Sequence, residues 1–218
     1  MPGPKRPEDQ RRESILRAAF AVAARDRLGG VTVRAVAERA RVSTGLVFFY
    51  FESKDALLEA LLGWILKHTL VAGELPSVVR FHGSPAERML AVLRRDVERL
   101  PRQRARVELF FDYWVLGTRQ PAIRRMIRAA LDRYRDAFVP LARDIVAASP
   151  HFWGSVTAEA LATVAASFVE GCALRVVLDP ETFDVDTYMA TLATLVASPA
   201  RVTAQASHAA HTALPAPF

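Results

Sequence analysis

Residues 31–58 read VTVRAVAERARVSTGLVFFYFESKDALL and contain the most informative pattern in the chain. The stretch predicts two short helices, capped by Thr32 and Ser43 and separated by a tight turn near Arg41. Apolar side chains recur at helical spacing on the inner face of each helix. They are Val33, Val36, Ala37 and Ala40 in the first helix and Leu46, Val47 and Phe51 in the second. This is the spacing of a helix-turn-helix, in which the second helix can enter the DNA major groove.

The rest of the chain also follows a helical period, and no strand alternation is convincing. A first helix is expected over about residues 8–27, ended by Gly29 and Gly30, and a fourth begins after Ser53. Further helices are expected over about residues 85–100, 101–117, 121–148, 158–178 and 185–197, with a kink at Pro140, a connector at 73–83 and a loop at 149–155. The predicted fold is all-α with about nine helices: an N-terminal three-helix helix-turn-helix domain and a C-terminal helical bundle.

We divide the chain into a DNA-binding domain (1–55), a ligand-binding and dimerisation domain (56–198) and a disordered tail (199–218). The tail is rich in Ala, Ser, Thr and Pro and has no sustained apolar stripe. The formal net charge is +6. Residues 1–55 hold eleven Lys and Arg against seven Asp and Glu, so they carry most of the excess. A basic balance placed there favours nucleic acid as a partner.

Several protein classes find no support in the composition. Cys172 is the one cysteine, so neither an intrachain disulfide nor a four-cysteine zinc site can form. The five histidines make no persuasive metal set, and no nucleotide-binding or hydrolase motif occurs. The polar start has no apolar signal segment, so we expect a cytoplasmic protein. Glu170 and Arg175 interrupt the longest apolar stretch, residues 160–178, which favours a buried helix or a subunit interface over a membrane span.

The stretch TVRAVAERA followed by VSTGLVFFYFESKDALL resembles the TetR family of transcriptional regulators. Their usual pattern reads close to T-[VI]-R-x-[IV]-A-x-x-A-G-V-S-x-G-x-[LI]-Y-x-[YH]-F-x-[SN]-K-x-x-L. The match covers about residues 10–62, and beyond it only the all-helical layout agrees. The resemblance implies that DNA contacts come from Thr32, Arg34, Ser43, Thr44, Gly45, Phe48, Phe49, Tyr50 and Lys54. Arg34 would then read guanine, and Thr32 and Lys54 would contact phosphates.

The chain departs from the pattern at two positions that matter. Arg41 stands where the family usually has glycine, and a positive φ there would cost about 1 kcal/mol. Phe48 stands where the family usually has tyrosine, so a hydroxyl that could bind a phosphate is absent. Phe48 and Phe49 could instead be core residues. However, Val47 and Phe51 already supply an inner face, which turns positions 48–50 outward.

The C-terminal half is expected to hold an apolar pocket between helices. Its candidate residues are Trp64, Phe110, Phe111, Asp112, Trp114, Phe138 and Phe168. The alternative for each aromatic residue is a plain hydrophobic core. Glu108 and Asp112 lie one helical turn apart beside these aromatic residues and could hold a cationic ligand. Alternatively, they pair with Arg104 or Arg106 on a solvated face.

In relatives of the family, the last two helices pair with those of a second subunit as a four-helix bundle. The resemblance therefore implies a C2 homodimer. Its expected interface is Ala165, Phe168, Val169, Gly171, Leu174, Leu192 and Leu195. The alternative is packing within one chain.

These features predict a ligand-responsive, sequence-specific DNA-binding regulator. The family default is a repressor that a small apolar or amphipathic molecule releases from a palindromic operator. We expect no cofactor, no metal, no catalytic residue and no membrane partner. Two other readings stay open at this point: a lipid- or drug-binding protein that does not bind DNA, and a small helical enzyme that uses Glu108 or Asp112.

Overall fold

The computed structural model describes residues 8–69 and 83–196. Within these ranges it contains ten α-helices, one 3-10 turn (Pro101–Gln103) and no strand, which confirms the predicted all-α class. The helices are α1 Glu8–Gly30, α2 Val33–Ala40, α3 Thr44–Phe51, α4 Lys54–Thr69, α5 Pro85–Arg99, α6 Arg104–Gly117, α7 Pro121–Ala148, α8 Pro150–Trp153, α9 Ala158–Leu178 and α10 Val185–Val196. The predicted tail 199–218 and the predicted connector as far as residue 82 lie outside the described residues.

Three local features differ from the sequence expectation. Helix α1 continues to Gly30 across Arg27, whose backbone (φ 60°, ψ 178°) is not helical. Helix α8 lies inside the stretch expected to be a loop. Pro101 begins a 3-10 turn rather than α6 itself. The first turn of a helix tolerates proline because its N–H groups have no partner inside the helix.

The described residues form two compact units. The first comprises residues 8–69 and 102–134, and the second comprises residues 83–101 and 135–196. The functional division after residue 55 stays a prediction, because the first unit groups residues by contact and includes α6 with the helix-turn-helix.

The core of the first unit is built by α1, α4 and α6 around the two short helices. Its fully buried side chains are Ile15, Ala19, Ala23, Val36, Leu57, Leu61, Leu62, Ile65, Leu109 and Tyr113. The Tyr113 hydroxyl donates a hydrogen bond to the carbonyl oxygen of Leu58 (2.8 Å), which ties α6 to α4. Burial raises the pKa of Tyr113 far above its usual value, so this phenol stays neutral and keeps its proton for the bond.

The second unit has its own core, in which α9 packs against α5. Helix α5 starts at Pro85, as predicted, and a capping box fixes this end: the Ser84 Oγ accepts from the Glu87 N–H (3.3 Å) and the Glu87 carboxylate accepts from the Ser84 N–H (2.7 Å). Arg94 of α5 pairs with Asp186 of α10 (2.6 Å). The buried side chains include Met89, Val92, Leu93, Val97, Phe138, Ala142, Ala162, Ala166, Cys172 and Val176.

Helix α9 is the one helix in the described ranges that is long and apolar enough to cross a membrane. Length and composition alone give that result, and core helices of soluble proteins share both properties. A third of its most apolar window is buried inside the protein, which fits a helix with one face in the core and another facing outward.

Arg41 carries backbone strain that a single substitution can release. It ends α2 in the left-handed region (φ 56°, ψ 49°), which costs a residue with a Cβ roughly 1–2 kcal/mol. Glycine avoids this cost but adds about 0.5–1 kcal/mol of chain entropy to be lost on folding. Arg41→Gly should therefore raise the free energy of unfolding by about 0.5–1 kcal/mol, measured by thermal or urea unfolding at one fixed protein concentration.

Arg39→Gly is the matched control, because Arg39 is also exposed but lies inside α2. Glycine there should lower the stability by about 1 kcal/mol. Equal destabilisation by both substitutions would contradict the assignment of strain to Arg41.

Candidate DNA interface

Helices α2 and α3 are fixed by hydrogen bonds at their ends. The Thr32 Oγ1 accepts from the Ala35 N–H (3.1 Å), and the Ser43 Oγ accepts from the Leu46 N–H (3.2 Å), as predicted. The turn between the helices is closed by the Val42 N–H, which donates to the carbonyl oxygen of Ala37 (2.9 Å). Local sequence therefore defines where α2 ends and α3 begins.

The outer face of α3 is apolar and open to solvent. The inner face buries Val47 and Phe51, whereas Phe48 is 49% exposed and Phe49 is 72% exposed. Tyr50 is half-buried, and its ring meets that of Phe49 edge to face at 5.3 Å. The alternative that Phe48 and Phe49 belong to the core is wrong. Two adjacent exposed aromatic side chains on a short helix indicate a contact surface.

Polar and basic residues lie at the starts of the two helices that pack against α3. Thr32 and Arg34 lie at the start of α2, and Lys54 is the first residue of α4. The other members of the predicted set, Ser43, Thr44 and Gly45, form the N-terminal end of α3 with its cap. All of these residues are exposed. The predicted DNA-binding residues therefore lie at the surface of one compact unit, with Tyr50 partly covered.

Gly45 has no role in the packing of the fold. A Cβ added there would meet no neighbouring atom closer than the Ser43 Oγ, at 3.9 Å. Glycine weakens a helix relative to alanine, so its presence near the start of α3 needs another reason. The missing side chain allows another molecule to approach the backbone closely.

Sequence reasoning missed Arg12, which supports α3 from α1. Its guanidinium lies over the Phe51 ring, 5.2 Å from the centroid. The two residues are far apart in sequence, and no local pattern indicates the contact. Arg12 helps to hold the inner face of α3 against α1.

The predicted ligand-binding residues are distributed over both units. Trp64 is buried beside Phe20 (5.3 Å between ring centroids), and Phe110, Phe111 and Asp112 are partly buried. Trp114, on the same helix, is 56% exposed. The two members in the second unit are Phe138, which is fully buried, and Phe168, which is half-buried.

Glu108 and Asp112 are ion-paired. Glu108 accepts from Arg104 (2.7 Å), as one alternative predicted, and Arg27 reaches both acids, at 3.2 Å to Glu108 and 2.7 Å to Asp112. Arg106 lies instead over the rings of Phe20 and Trp64, at 5.9 and 5.8 Å from their centroids. A cationic ligand at the two acids would therefore compete with Arg27.

The predicted interface residues of α9 and α10 differ in exposure. Gly171, Leu174 and Leu195 are exposed, and Phe168 and Leu192 are half-buried. Ala165 and Val169 are buried within the chain, so packing within one chain holds for these two. The outer face of α9 is an apolar and small-residue stripe of Ala160, Val164, Ser167, Gly171, Leu174 and Leu178.

The described residues offer no site for metal binding and no reactive thiol. Among the described residues, no group of three or more His, Cys, Asp or Glu side chains is placed to hold a metal ion. Cys172 is buried, and burial raises the pKa of its thiol to about 11, so little reactive thiolate forms near neutral pH.

Two family models match the chain. The model described as "Bacterial regulatory proteins, tetR family" matches residues 15–61, which include α2 and α3. The model described as "BetI-type transcriptional repressor, C-terminal" matches residues 85–201, more than half of the chain.

The relatives of this chain include proteins named HTH-type transcriptional regulator BetI. The one from Serratia proteamaculans is 27% identical over 116 residues, spanning 53% of this chain and 59% of that protein. The one from Paraburkholderia phymatum is 27% identical over 175 residues, spanning 80% and 85%. A crystal structure of a protein from Saccharomonospora viridis in complex with choline has the same fold, with a TM-score of 0.67 at 21% identity over 85% of this chain and 94% of that one.

These matches agree with the geometry of the site. The tetR model covers the capped helices whose outer face is exposed, and the BetI-type model covers α5 to α10. The named relatives are transcriptional regulators, which supports the expectation that the chain is not an enzyme. The protein belongs to the TetR family of bacterial transcriptional regulators, with a C-terminal region of the BetI type.

Proposed function

We propose that this protein is a cytoplasmic homodimeric repressor that binds a palindromic operator through α3 and leaves it when a small effector binds. The observation that carries the proposal is the exposed aromatic face of α3 (Phe48 and Phe49), together with the exposed basic residues Arg34 and Lys54 on the two helices that pack against α3. The chain belongs to a family of DNA-binding regulators, and DNA binding explains why this apolar face is not buried within the chain.

Some of the proposed contacts position the protein on the DNA backbone, and others read the base sequence. Lys54 and Thr32 suit phosphate oxygens, since an ammonium group and a hydroxyl can both donate hydrogen bonds to them. The guanidinium of Arg34 suits the O6 and N7 edge of guanine. Phe48 and Phe49 offer apolar contact to thymine methyl groups. Few side chains can hydrogen-bond to bases, so DNA shape should contribute to the choice of operator.

The proposed dimer uses the outer stripe of α9. Its members follow spacings of four and three residues in alternation from Ala160 to Leu178, the repeat that lets two helices pack along a seam. Ser167 and Gly171 keep the middle of the stripe small, so two helix backbones can approach closely. A two-fold dimer then presents two copies of α3 to half-sites one helical turn, about 34–36 Å, or a multiple of that apart.

The proposed effector is a small apolar or amphipathic molecule that lies against aromatic side chains such as Phe110 and Phe111. The S. viridis protein of the same fold was crystallised with choline, so choline is a reasonable first probe for this chain. A cation that approached Glu108 and Asp112 would have to displace Arg27, because Arg27 already pairs with both carboxylates. Ligand binding would weaken DNA binding only if it favoured an arrangement unsuited to the operator.

Selection of bound sequences from random duplex DNA at physiological salt should enrich a palindrome. Binding to it should weaken as salt increases, with a slope of about −0.9 per neutralised phosphate in log–log form. A dimer that enriches no sequence, even after unfolding and refolding to remove bound molecules, would contradict the proposed function. That result would favour the alternative that the chain is a lipid- or drug-binding protein that does not bind DNA. Turnover of a substrate would support the enzyme alternative.

Gly45→Ala should separate DNA binding from folding. Because space around Gly45 is open, alanine should stabilise the free protein by up to about 1 kcal/mol in urea unfolding. The added methyl group should lower affinity for the selected palindrome about tenfold or more, because it blocks the close approach of DNA to α3.

The matched control is Gly63→Ala in α4, where an added Cβ would lie at an ordinary 3.7 Å from the Met126 Cε. It should also stabilise the protein but leave DNA affinity within about twofold. Unchanged DNA binding by Gly45→Ala would remove α3 from the interface.

A further inference from the structure

Arg27 forms the corner between α1 and the helix-turn-helix. Its backbone angles (φ 60°, ψ 178°) lie in a region that is essentially confined to glycine. Thr32, the cap of α2, follows five residues later. Between them Val31 is fully buried and donates its N–H to the carbonyl oxygen of Leu28 (3.3 Å). The angles at Arg27 therefore set the direction in which α2 begins.

The guanidinium of Arg27 is held by two carboxylates on α6. Its Nη1 donates to the Glu108 Oε2 (3.2 Å), and its Nη2 donates to the Asp112 Oδ1 (2.7 Å). The acid side chains are 24% exposed and that of Arg27 is 50% exposed. The other carboxylate oxygen of Asp112, Oδ2, is buried and has no hydrogen-bond partner among the described residues. Arg27 is thus the cation that offsets the charge of Asp112.

The strain and the ion pairs belong to the same residue. A glycine at position 27 would adopt these angles without strain, and the chain uses glycine at positions 29 and 30 of the same turn. Strained backbone persists where surrounding contacts determine it, and such residues concentrate at switch regions. The two contacts to α6 are the interactions that hold the side chain of Arg27 in this conformation.

We propose that Arg27 is a positioning residue, which holds the helix-turn-helix in one orientation relative to α6 through Glu108 and Asp112. The proposal rests on the proposed function, because a dimer must present two copies of α3 at a fixed spacing to engage both half-sites. Losing the contact frees the orientation and lowers the effective concentration of the second helix-turn-helix at its half-site. Through this contact, a ligand that shifts α6 also shifts the DNA-binding helices.

The test compares two duplexes: the selected palindrome, and the same duplex with one half-site scrambled. Arg27→Gln should weaken binding to the palindrome about tenfold and change binding to the single half-site by less than twofold. Arg25→Gln is the matched control. Arg25 lies in the same turn of α1, and its guanidinium donates to the carboxylate of the neighbouring Asp26 (2.6 and 2.8 Å). This control should bind both duplexes as the unmodified protein does.

A second variant removes the same contact from the α6 side and leaves Arg27 unchanged. Glu108→Gln combined with Asp112→Asn should reproduce the selective loss on the palindrome. Hydrogen exchange of the backbone amides from Leu28 to Val36 should become faster in both this variant and Arg27→Gln, and stay unchanged in Arg25→Gln.

A merely structural role predicts a different pattern: a lower melting temperature with palindrome and half-site affected equally. That pattern, or palindrome affinity within twofold of the unmodified protein in both variants, would overturn the proposal while leaving the proposed function intact. If the unmodified protein selects no palindrome, the proposed function fails and this proposal fails with it.

Discussion

The core shared by α1, α4 and α6 is the interaction on which the first unit depends. Helices α2 and α3 have eight residues each, which is too short for stability in isolation. They can bury only a few side chains, such as Val36 and Val47. The larger buried residues around them, including Leu61, Ile65 and Tyr113, come from α4 and α6. The helix-turn-helix is thus built onto a helix that would otherwise be assigned to the C-terminal domain.

Helix α6 is consequently both part of this core and a chemical connection to α1. Tyr113 binds the backbone of α4, Arg106 lies over rings from α1 and α4, and Glu108 and Asp112 hold Arg27. None of these groups lies on the outer face of α3. Under the proposed function, a change in α6 can therefore alter DNA binding without any contact with DNA. The free energy available for such coupling is limited to the difference in effector affinity between the two arrangements.

Sequence predicted those parts of the structure that depend on nearby residues. The caps at Thr32 and Ser43 each use a hydrogen bond to a residue three positions away, so their signals are local. The contacts of Arg27 with Glu108 and Asp112 join residues more than eighty positions apart, and no local pattern specifies them. Helix α9 is apolar around most of its surface, so periodicity could not separate the buried Ala165 and Val169 from the exposed Leu174. The resemblance marked Arg41 as unusual because the family usually has glycine at this position, and the positive φ of Arg41 explains that preference for glycine.

Photo-crosslinking from the exposed face of α3 tests whether this helix contacts DNA. Phe49 is replaced by p-benzoylphenylalanine, which keeps an aromatic side chain at this position, and the protein is irradiated on the selected palindrome. Trp114 is the control position, since it is also an exposed aromatic residue but lies on α6. If α3 enters the major groove, position 49 forms crosslinks at one symmetry-related base step in each half-site and position 114 forms none. Crosslinks from position 114 alone, or none from position 49 on DNA that the protein binds, would contradict this placement of α3.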